Sequence, residues 1–346
     1  MAQMQARKNY PSAIQAFQVA LRANPDEQLL WLRLGEAYSK AGRHSAALKA
    51  LYRAHELSAD DWICTYFIGK VHSQMGKFHD AIEAFESVLT GRPSEVGVLM
   101  SLAQANLDLG RDEMSTGFLA RAEQSFSACV EIAVRAIRET PGFRSLAWKT
   151  VADAIFHLSK RTSFVDANNV RALLEDVGSL ITGNISERLS GLLVLPSLEG
   201  DSPVGGRQAL EVAIMAYDYR ISLGSGESIT GSSWYDLGVA LNCWSSQTVS
   251  REDHERAKKQ ATECLMKALR EDAGNDIFWN ALGSINFVTQ PKTAQHAYIK
   301  ALEIDGKVSI IVSSFKLLCP KSPQERCIMD KHWSAVPLPQ RSPTGE

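Results

Sequence analysis

Trp31-Leu32-Arg33-Leu34-Gly35-Glu36-Ala37-Tyr38, followed by Gly42, Ala47, Leu51 and Ala54, is the stretch that decides the fold. Thirty-four residues on, the pattern returns as Ile68-Gly69, Gly76, Ala81, Phe85 and Pro93, and a third copy carries Leu99, Leu102, Ala103 and Gly110. Trp31, Leu34, Gly35 and Tyr38 fall three, four and seven residues apart, which is one face of a helix. Glycine inside a helix costs roughly 1 kcal/mol against alanine. Its return at a constant spacing, through Gly35, Gly69 and then Ala103, therefore calls for a packing reason. Close approach supplies one: Gly35 lacks a side chain, Ala47 and Ala54 carry only methyls, and Trp31, Tyr38 and Leu51 fill the flanks. Gly42 and Gly76 fall where the first helix must end, as the left-handed residue after the cap, and Pro93 closes the second helix.

A fixed period of this length is the signature of the tetratricopeptide repeat. The expected fold is all-α, a solenoid of antiparallel helix pairs with irregular insertions, because one pair cannot bury its apolar stripe alone. Residues 1–27 read as the second half of a repeat whose first helix is absent, with Ala13, Phe17, Ala20 and Pro25 at second-helix spacing. The chain accordingly reads as a piece of something longer. Regular repeats follow at 28–61 and 62–95. The repeat at 96–144 reaches Gly110 in phase and then acquires extra residues, which lengthen its second helix by about two turns before Pro141. An irregular unit with a long insertion covers 145–230, opened by Trp148, Val151, Ala152 and Ile155. Within it, 158–210 lose the pattern, with loops around one short helix from Val170 to Leu180, and a helix returns from Gln208 to Ser222. A repeat at 231–275 has Trp234, Leu237 and Gly238 and then a charge-rich insertion before Ala261, and a last repeat covers 276–307 with Trp279 and Gly283. Residues 308–346 hold five of the twelve prolines and read as a disordered, non-repeat tail.

Composition excludes several function classes. The chain has 346 residues, is 45% hydrophobic and 22% charged, and carries a formal net charge of −2, so no global basicity argues for nucleic acid. The N-terminus lacks the apolar core of a signal peptide, and the longest apolar run, near Leu192–Leu195, falls far short of the ~20 residues that span a bilayer. Six cysteines (Cys64, Cys129, Cys243, Cys264, Cys319, Cys327) show no CxxC or metal spacing and read as free thiols of a reducing compartment. The sequon at Asn184-Ile185-Ser186 reads as chance.

No catalytic, cofactor-binding or metal-ligating residue is expected: the eight histidines are scattered, and no HExxH or Cys/His constellation appears. Gly224-x-Gly226 and Gly205-Gly206 precede no strand–helix unit, which argues against a phosphate cradle. His254 reads as solvated on a charged helix face. Arg256, Lys258, Lys259, Lys267 and Arg270 are interleaved with acids and read as a solvated face, so no sequence-specific nucleic-acid binding is expected. The clamp by which some such repeats hold acidic chaperone tails needs Lys and Asn where this chain has Leu32, Glu36, Phe67, Gly97 and Ser101. The repeated asparagine of the sugar-transferase superhelix is replaced by Arg33, Phe67, Ser101, Asp236 and Ala281.

The ordered irregularities are Trp31-Leu-Arg-Leu-Gly-Glu-Ala-Tyr-Ser, the long helix before Leu146-Ala-Trp-Lys-Thr-Val-Ala-Asp-Ala, the Gly205-Gly-Arg helix, Trp234-Tyr-Asp-Leu-Gly-Val-Ala and Trp279-Asn-Ala-Leu-Gly. Together, over about residues 1–307, they resemble the tetratricopeptide-repeat scaffold subunit of the superkiller (Ski) complex, in a truncated form. The resemblance implies a non-enzymatic, cytoplasmic scaffold, with the nucleus as a second compartment open to it. Its implied partners are a Ski-type RNA helicase and a WD-repeat propeller, and indirectly the exosome in 3′-to-5′ mRNA decay and RNA surveillance, with no membrane. The alternative is a generic adaptor that reads a short peptide along the groove of 28–110, through residues such as Arg33 and Lys70.

Overall fold

The computed structural model describes residues 10–139, 144–181, 188, 189, 191–193, 204–224 and 230–304. These residues form fourteen helices and no strand. The chain separates into two compact units, residues 1–229 and 230–346.

In the first unit, α1 (Tyr10–Ala23) buries Ile14 and Leu21 against Leu34 and Ala37 of α2 (Gln28–Lys40). α2 pairs with α3 (His44–Leu57), and α4 (Trp62–Gln74) pairs with α5 (Phe78–Gly91). The turns inside these pairs are alike. Gly42 has φ of +74° and donates to Ser39 O, while Arg43 N donates to Tyr38 O; Gly76, at +75°, and Lys77 repeat this onto Ser73 O and His72 O. Both carbonyls left open at the helix end are thereby satisfied, and a side chain at these φ values would be strained.

The third pair corrects the sequence phasing. α6 (Val96–Ser115) has 20 residues where α2 and α4 have 13, and α7 (Leu119–Glu139) has 21 where α3 and α5 have 14. The extra residues are shared by both helices, and Gly110 lies inside α6 rather than at its end. The turn glycine is Gly117, with φ of +87°, where Gly117 N donates to Met114 O and Phe118 N to Glu113 O. The close crossing belongs to Gly110: a Cβ there would stand 2.6 Å from Phe126 Cε1, as one at Gly35 would stand 2.6 Å from Leu51 Cγ. The crossing glycines are thus Gly35, Gly69 and Gly110, and the last spacing is seven residues longer than the first. Seven residues are nearly two turns, so the apolar face drifts by only about 20°. Val98, Leu102 and Ala105 consequently still pack on Ala81, Phe85 and Val88 of the preceding pair. At 1.5 Å rise per residue the third pair is longer by about 10 Å.

α8 (Arg144–Leu158) pairs with α10 (Gly206–Leu223), and α9 (Ala167–Ile181) lies between them in sequence and packs on α7 and α10. α9 is a helix of 15 residues, longer than the one read from sequence. Val170, Leu173, Leu174, Val177 and Ile181 form its buried stripe at helical spacing.

The second unit holds α11 (Gly231–Gln247) paired with α12 (Arg251–Glu271), and α13 (Asp276–Asn286) paired with α14 (Pro291–Ile304). The charge-rich stretch read as an insertion is helical: only Thr248, Val249 and Ser250 separate α11 from α12, and Arg251 onward forms the opening turns of α12. Two of the motif tryptophans have a polar task as well as bulk. Trp279 Nε1 donates to Ala273 O at 2.8 Å, just as Trp31 Nε1 donates to Pro25 O at 2.7 Å in the first unit. Each pins the connector six residues upstream.

The expectations for residues 1–9, the sequon at Asn184, residues 199–203 and 225–229 of the glycine-rich loops and the tail 308–346, with Cys319 and Cys327, fall outside the described residues.

Candidate interaction surface

The first helices of successive pairs meet along a polar edge. Gln28 Nε2 donates to Asp61 Oδ2 at 2.6 Å and Ser39 Oγ to Gln74 Oε1 at 2.7 Å, and the Tyr66 and Ser101 hydroxyls lie 3.3 Å apart. Each bond ties one first helix to the next, and each contributes only about 0.5–1.5 kcal/mol. Their effect is to fix register.

Arg33, expected to face a ligand, is engaged within its own helix. Its Nη1 lies 3.0 Å from Glu36, and Lys40 Nζ reaches the same carboxylate at 2.7 Å. Burial tends to raise the Glu36 carboxyl, but the hydrogen bonds from Lys40 and Arg33 outweigh it and hold the group below the ordinary range. Lys70 Nζ stands 5.5 Å from the Tyr66 ring centroid, within cation–π range. The corrected crossing also moves the third pair's equivalents. Two residues before the crossing glycine stand Arg33, Phe67 and Asp108, the last in place of Ser101; Gln104 replaces Gly97 and donates to Asp108 at 3.0 and 3.1 Å. An acid at that place would repel a partner carboxylate, and Leu32, at another clamp position, is buried in the core.

Where the long third pair meets α8 and α10, a polar cluster forms. Asp153, 9% exposed, accepts from Tyr217 Oη at 2.7 Å, Arg111 Nη2 at 3.2 Å and Lys149 Nζ at 3.2 Å. Such a carboxylate is tolerable only because its donors are in place. Arg111 also reaches Asp108 Oδ1 at 3.1 Å and donates from Nε to His157 Nε2 at 3.1 Å. The His157 ring stacks on Phe126 at 5.3 Å with 7° between planes. Burial, then Lys160 and Arg111, push its pKa down to about 4, against an opposing pull from Asp153. At neutral pH it is an uncharged acceptor. Nearby, Glu123, 3% exposed, accepts from Val165 N and Asp166 N at 2.8 Å and pairs with Arg161 Nη2 at 3.3 Å, anchoring the segment that leads into α9.

These groups lock helices together. Burial pushes the Cys129 thiol up beyond its ordinary value, which removes it as a nucleophile. Cys64, Cys129, Cys243 and Cys264 are free thiols, and among the described residues no three metal-ligating side chains converge. On α12, Arg251–Glu255 and Arg256–Glu252 pair along the helix, and Lys267 Nζ lies 4.3 Å from the Trp234 ring centroid. His254 departs from the expected solvated residue: it is half-buried, with Nδ1 2.8 Å from Ser245 O, tying the start of α12 to the end of α11.

The sequence assigned no functional role to Arg111, Asp153, His157, Glu123 or Tyr217, the last read only as a residue at second-helix spacing. In the first unit, one residue after each crossing position comes a charge, Glu36, Lys70, Arg111 and Asp153, so Asp153 looks like its solvated counterparts. Only the helices closing over it distinguish it.

Close-crossing glycine pairs, left-handed turn glycines and stacked first helices define a tetratricopeptide-repeat solenoid. The Tetratricopeptide repeat profile matches residues 2–61 and 68–128. Beyond the class, the chain resembles the superkiller subunit. It is 29% identical to Superkiller protein 3 of Schizosaccharomyces pombe, over 84% of this chain and 21% of that protein. Superkiller complex protein 3 of Mus musculus is 25% identical over 84% of this chain and 17% of its own length. The chain thus spans about a fifth of the length of these relatives. Among solved structures, that of the APC/C hetero-tetramer Cut9-Hcn1 aligns with a TM-score of 0.51 at 12% identity, covering 90% of this chain and 46% of that one. That likeness concerns the fold alone. No described helix is long and apolar enough to cross a membrane.

Proposed function

We propose that this chain is a non-enzymatic scaffold arm of a cytoplasmic superkiller-type complex, supporting exosome-linked 3′-to-5′ mRNA decay. The observation that carries the proposal is similarity to Superkiller protein 3 along 84% of the chain, irregular pairs included, rather than along the regular repeats alone. The site chemistry is consistent with it: the buried charges at Asp153 and Glu123 hold helices in register through their hydrogen bonds. Partners on this reading are a Ski-type RNA helicase and a WD-repeat propeller, with the exosome reached through them. A peptide adaptor of the carboxylate-clamp kind is disfavoured by Leu32 in the core, Arg33 paired to Glu36 and Asp108 at the third position. Affinity purification of the endogenous protein followed by mass spectrometry tests the assignment. Co-recovery of a helicase and a propeller subunit in stoichiometric amounts is expected, and recovery without either overturns it.

A further inference from the structure

Residues 159–166, which join α8 to α9, close onto α7 through one cation and one carboxylate. Arg161 donates from Nη1 to Leu119 O, pairs through Nη2 with Glu123 at 3.3 Å, and donates from Nε to the carbonyl of Ser163 at 3.2 Å. Glu123 in turn accepts from Val165 N and Asp166 N, and Asp166 Oδ1 accepts from Asn169 N at 3.0 Å, capping the first turn of α9. Between these anchors Thr162 and Ser163 are exposed, and the Ser163 hydroxyl has no hydrogen-bond partner among the described residues.

The neighbours of that free hydroxyl are specific. Lys160 and Arg161 stand three and two residues before Ser163, and Phe164 follows it. Ser163 is the one serine or threonine of the chain with Lys or Arg at both places. Lys160 is exposed, its Nζ 5.0 Å from the Phe156 ring centroid. Two cations ahead of a hydroxyl, with an apolar residue after it, suit a basic-directed serine/threonine kinase. Acidic pockets of such a kinase take the cations, and an apolar pocket takes the residue after the acceptor. We propose that Ser163 is a phosphorylation site for a kinase of this class, and that Glu123 gates it by competing for Arg161. ATP is the phosphoryl donor: Ser163 Oγ forms the bond to the γ-phosphorus as the bond to ADP breaks, and the hydroxyl proton passes to the kinase's base.

The gate follows from burial. The Arg161 side chain is 12% exposed in its pair with Glu123, so a kinase reads it only after this end of the connection opens. Breaking a hydrogen bond between charged groups holds the open population down by about tenfold or more. The added phosphate carries a charge of about −1.5 to −2. It stands on the residue whose carbonyl the guanidinium already holds, and a bidentate arginine–phosphate pair is stronger than the 3.3 Å contact with Glu123. Arg161 then leaves Glu123, and repulsion among the phosphate, Glu123 and Asp166 loosens the Val165 and Asp166 amides.

The test incubates the whole chain with ATP, Mg²⁺ and the catalytic subunit of cyclic-AMP-dependent kinase, which belongs to this class, and maps the phosphate by mass spectrometry. Phosphate is expected on Ser163, and Ser163→Ala should lose it. Lys160→Gln, at an exposed position, should slow the modification more than tenfold, and Glu123→Gln should speed it about tenfold. Hydrogen exchange at α6–α8 amides should be unchanged in each variant, which separates a freed Arg161 from a Glu123 variant that merely misfolds. In the phosphorylated chain the Val165 and Asp166 amides should exchange more than tenfold faster than in the unmodified one. Absence of phosphate from Ser163 in the parent chain and in Glu123→Gln alike overturns the site, as does modification of Lys160→Gln at the parent rate. A folded Glu123→Gln variant modified no faster overturns the gate, and unchanged exchange in the phosphorylated chain overturns the release. None of these outcomes bears on membership of a superkiller-type complex, which the purification above decides separately.

Discussion

Substitution of Gly110 by alanine separates the two phasings of the third pair. A Cβ at Gly110 would stand 2.6, 2.8 and 3.0 Å from Cε1, Cδ1 and Cζ of Phe126. The ring is fully buried, stacked on His157 and unable to bend away, so the overpacking cost sits near the upper end of the usual ~1–3 kcal/mol. Alanine gains about 1 kcal/mol of helix propensity over glycine, leaving a net loss of about 2 kcal/mol. Phe126→Val removes all three clashing atoms. In that background Gly110→Ala should become stabilising by about 1 kcal/mol, so the double-mutant cycle should give a coupling of about 3 kcal/mol. Gly97 is the control on the same helix: nothing lies within 4 Å of its Cβ position, and Gly97→Ala should stabilise by up to about 1 kcal/mol. Urea unfolding followed by far-UV circular dichroism reads the parent chain and all four variants. Should Gly110→Ala be as stable as Gly97→Ala, or lose the same amount in both backgrounds, the close crossing at Gly110 is wrong.

Three further expectations rest on the same coordinates. His157 has a folded pKa of about 4, below its unfolded value near 6.5. Its contribution is therefore complete above pH 6.5 and lost as pH falls toward 4, where the unfolded chain binds the extra proton. The interval corresponds to about 3 kcal/mol at most, reduced to roughly 1–2 for a half-buried ring; thermal melts across it should show that loss, and His157→Gln should flatten it. Tyr217→Phe removes one donor from Asp153 and should cost about 1 kcal/mol, whereas Asp153→Ala removes the acceptor that Tyr217, Arg111 and Lys149 share and should cost about 3 kcal/mol; equal melting of the two variants would contradict the shared lock. Glu123→Ala should speed hydrogen exchange at the Val165 and Asp166 amides by more than tenfold while leaving α2–α5 amides unchanged, since those two amides donate to its carboxylate.

Much of this protein is legible without coordinates. The spacing from Gly35 to Gly42 and to Leu51 encodes a helix pair, because a helix has one period and a close crossing tolerates few residue types. The same triplet, with different members, recurs at Gly69, Gly76 and Phe85. The sequence by itself thus determined the all-helical repeat class, the direction of each pair and the tryptophan positions, since all of these are set by local periodicity and side-chain size. It misplaced the third crossing because seven residues are almost two turns: a phase-preserving lengthening leaves Ala103 on the right face and hides the shift to Gly110. Only the tertiary structure decided that Asp153 is a buried lock while Glu36 and Lys70, at the same step of the motif, stay near solvent. Burial of a charge depends on which neighbouring helices close over it, and that is a property of the stack which no single repeat carries.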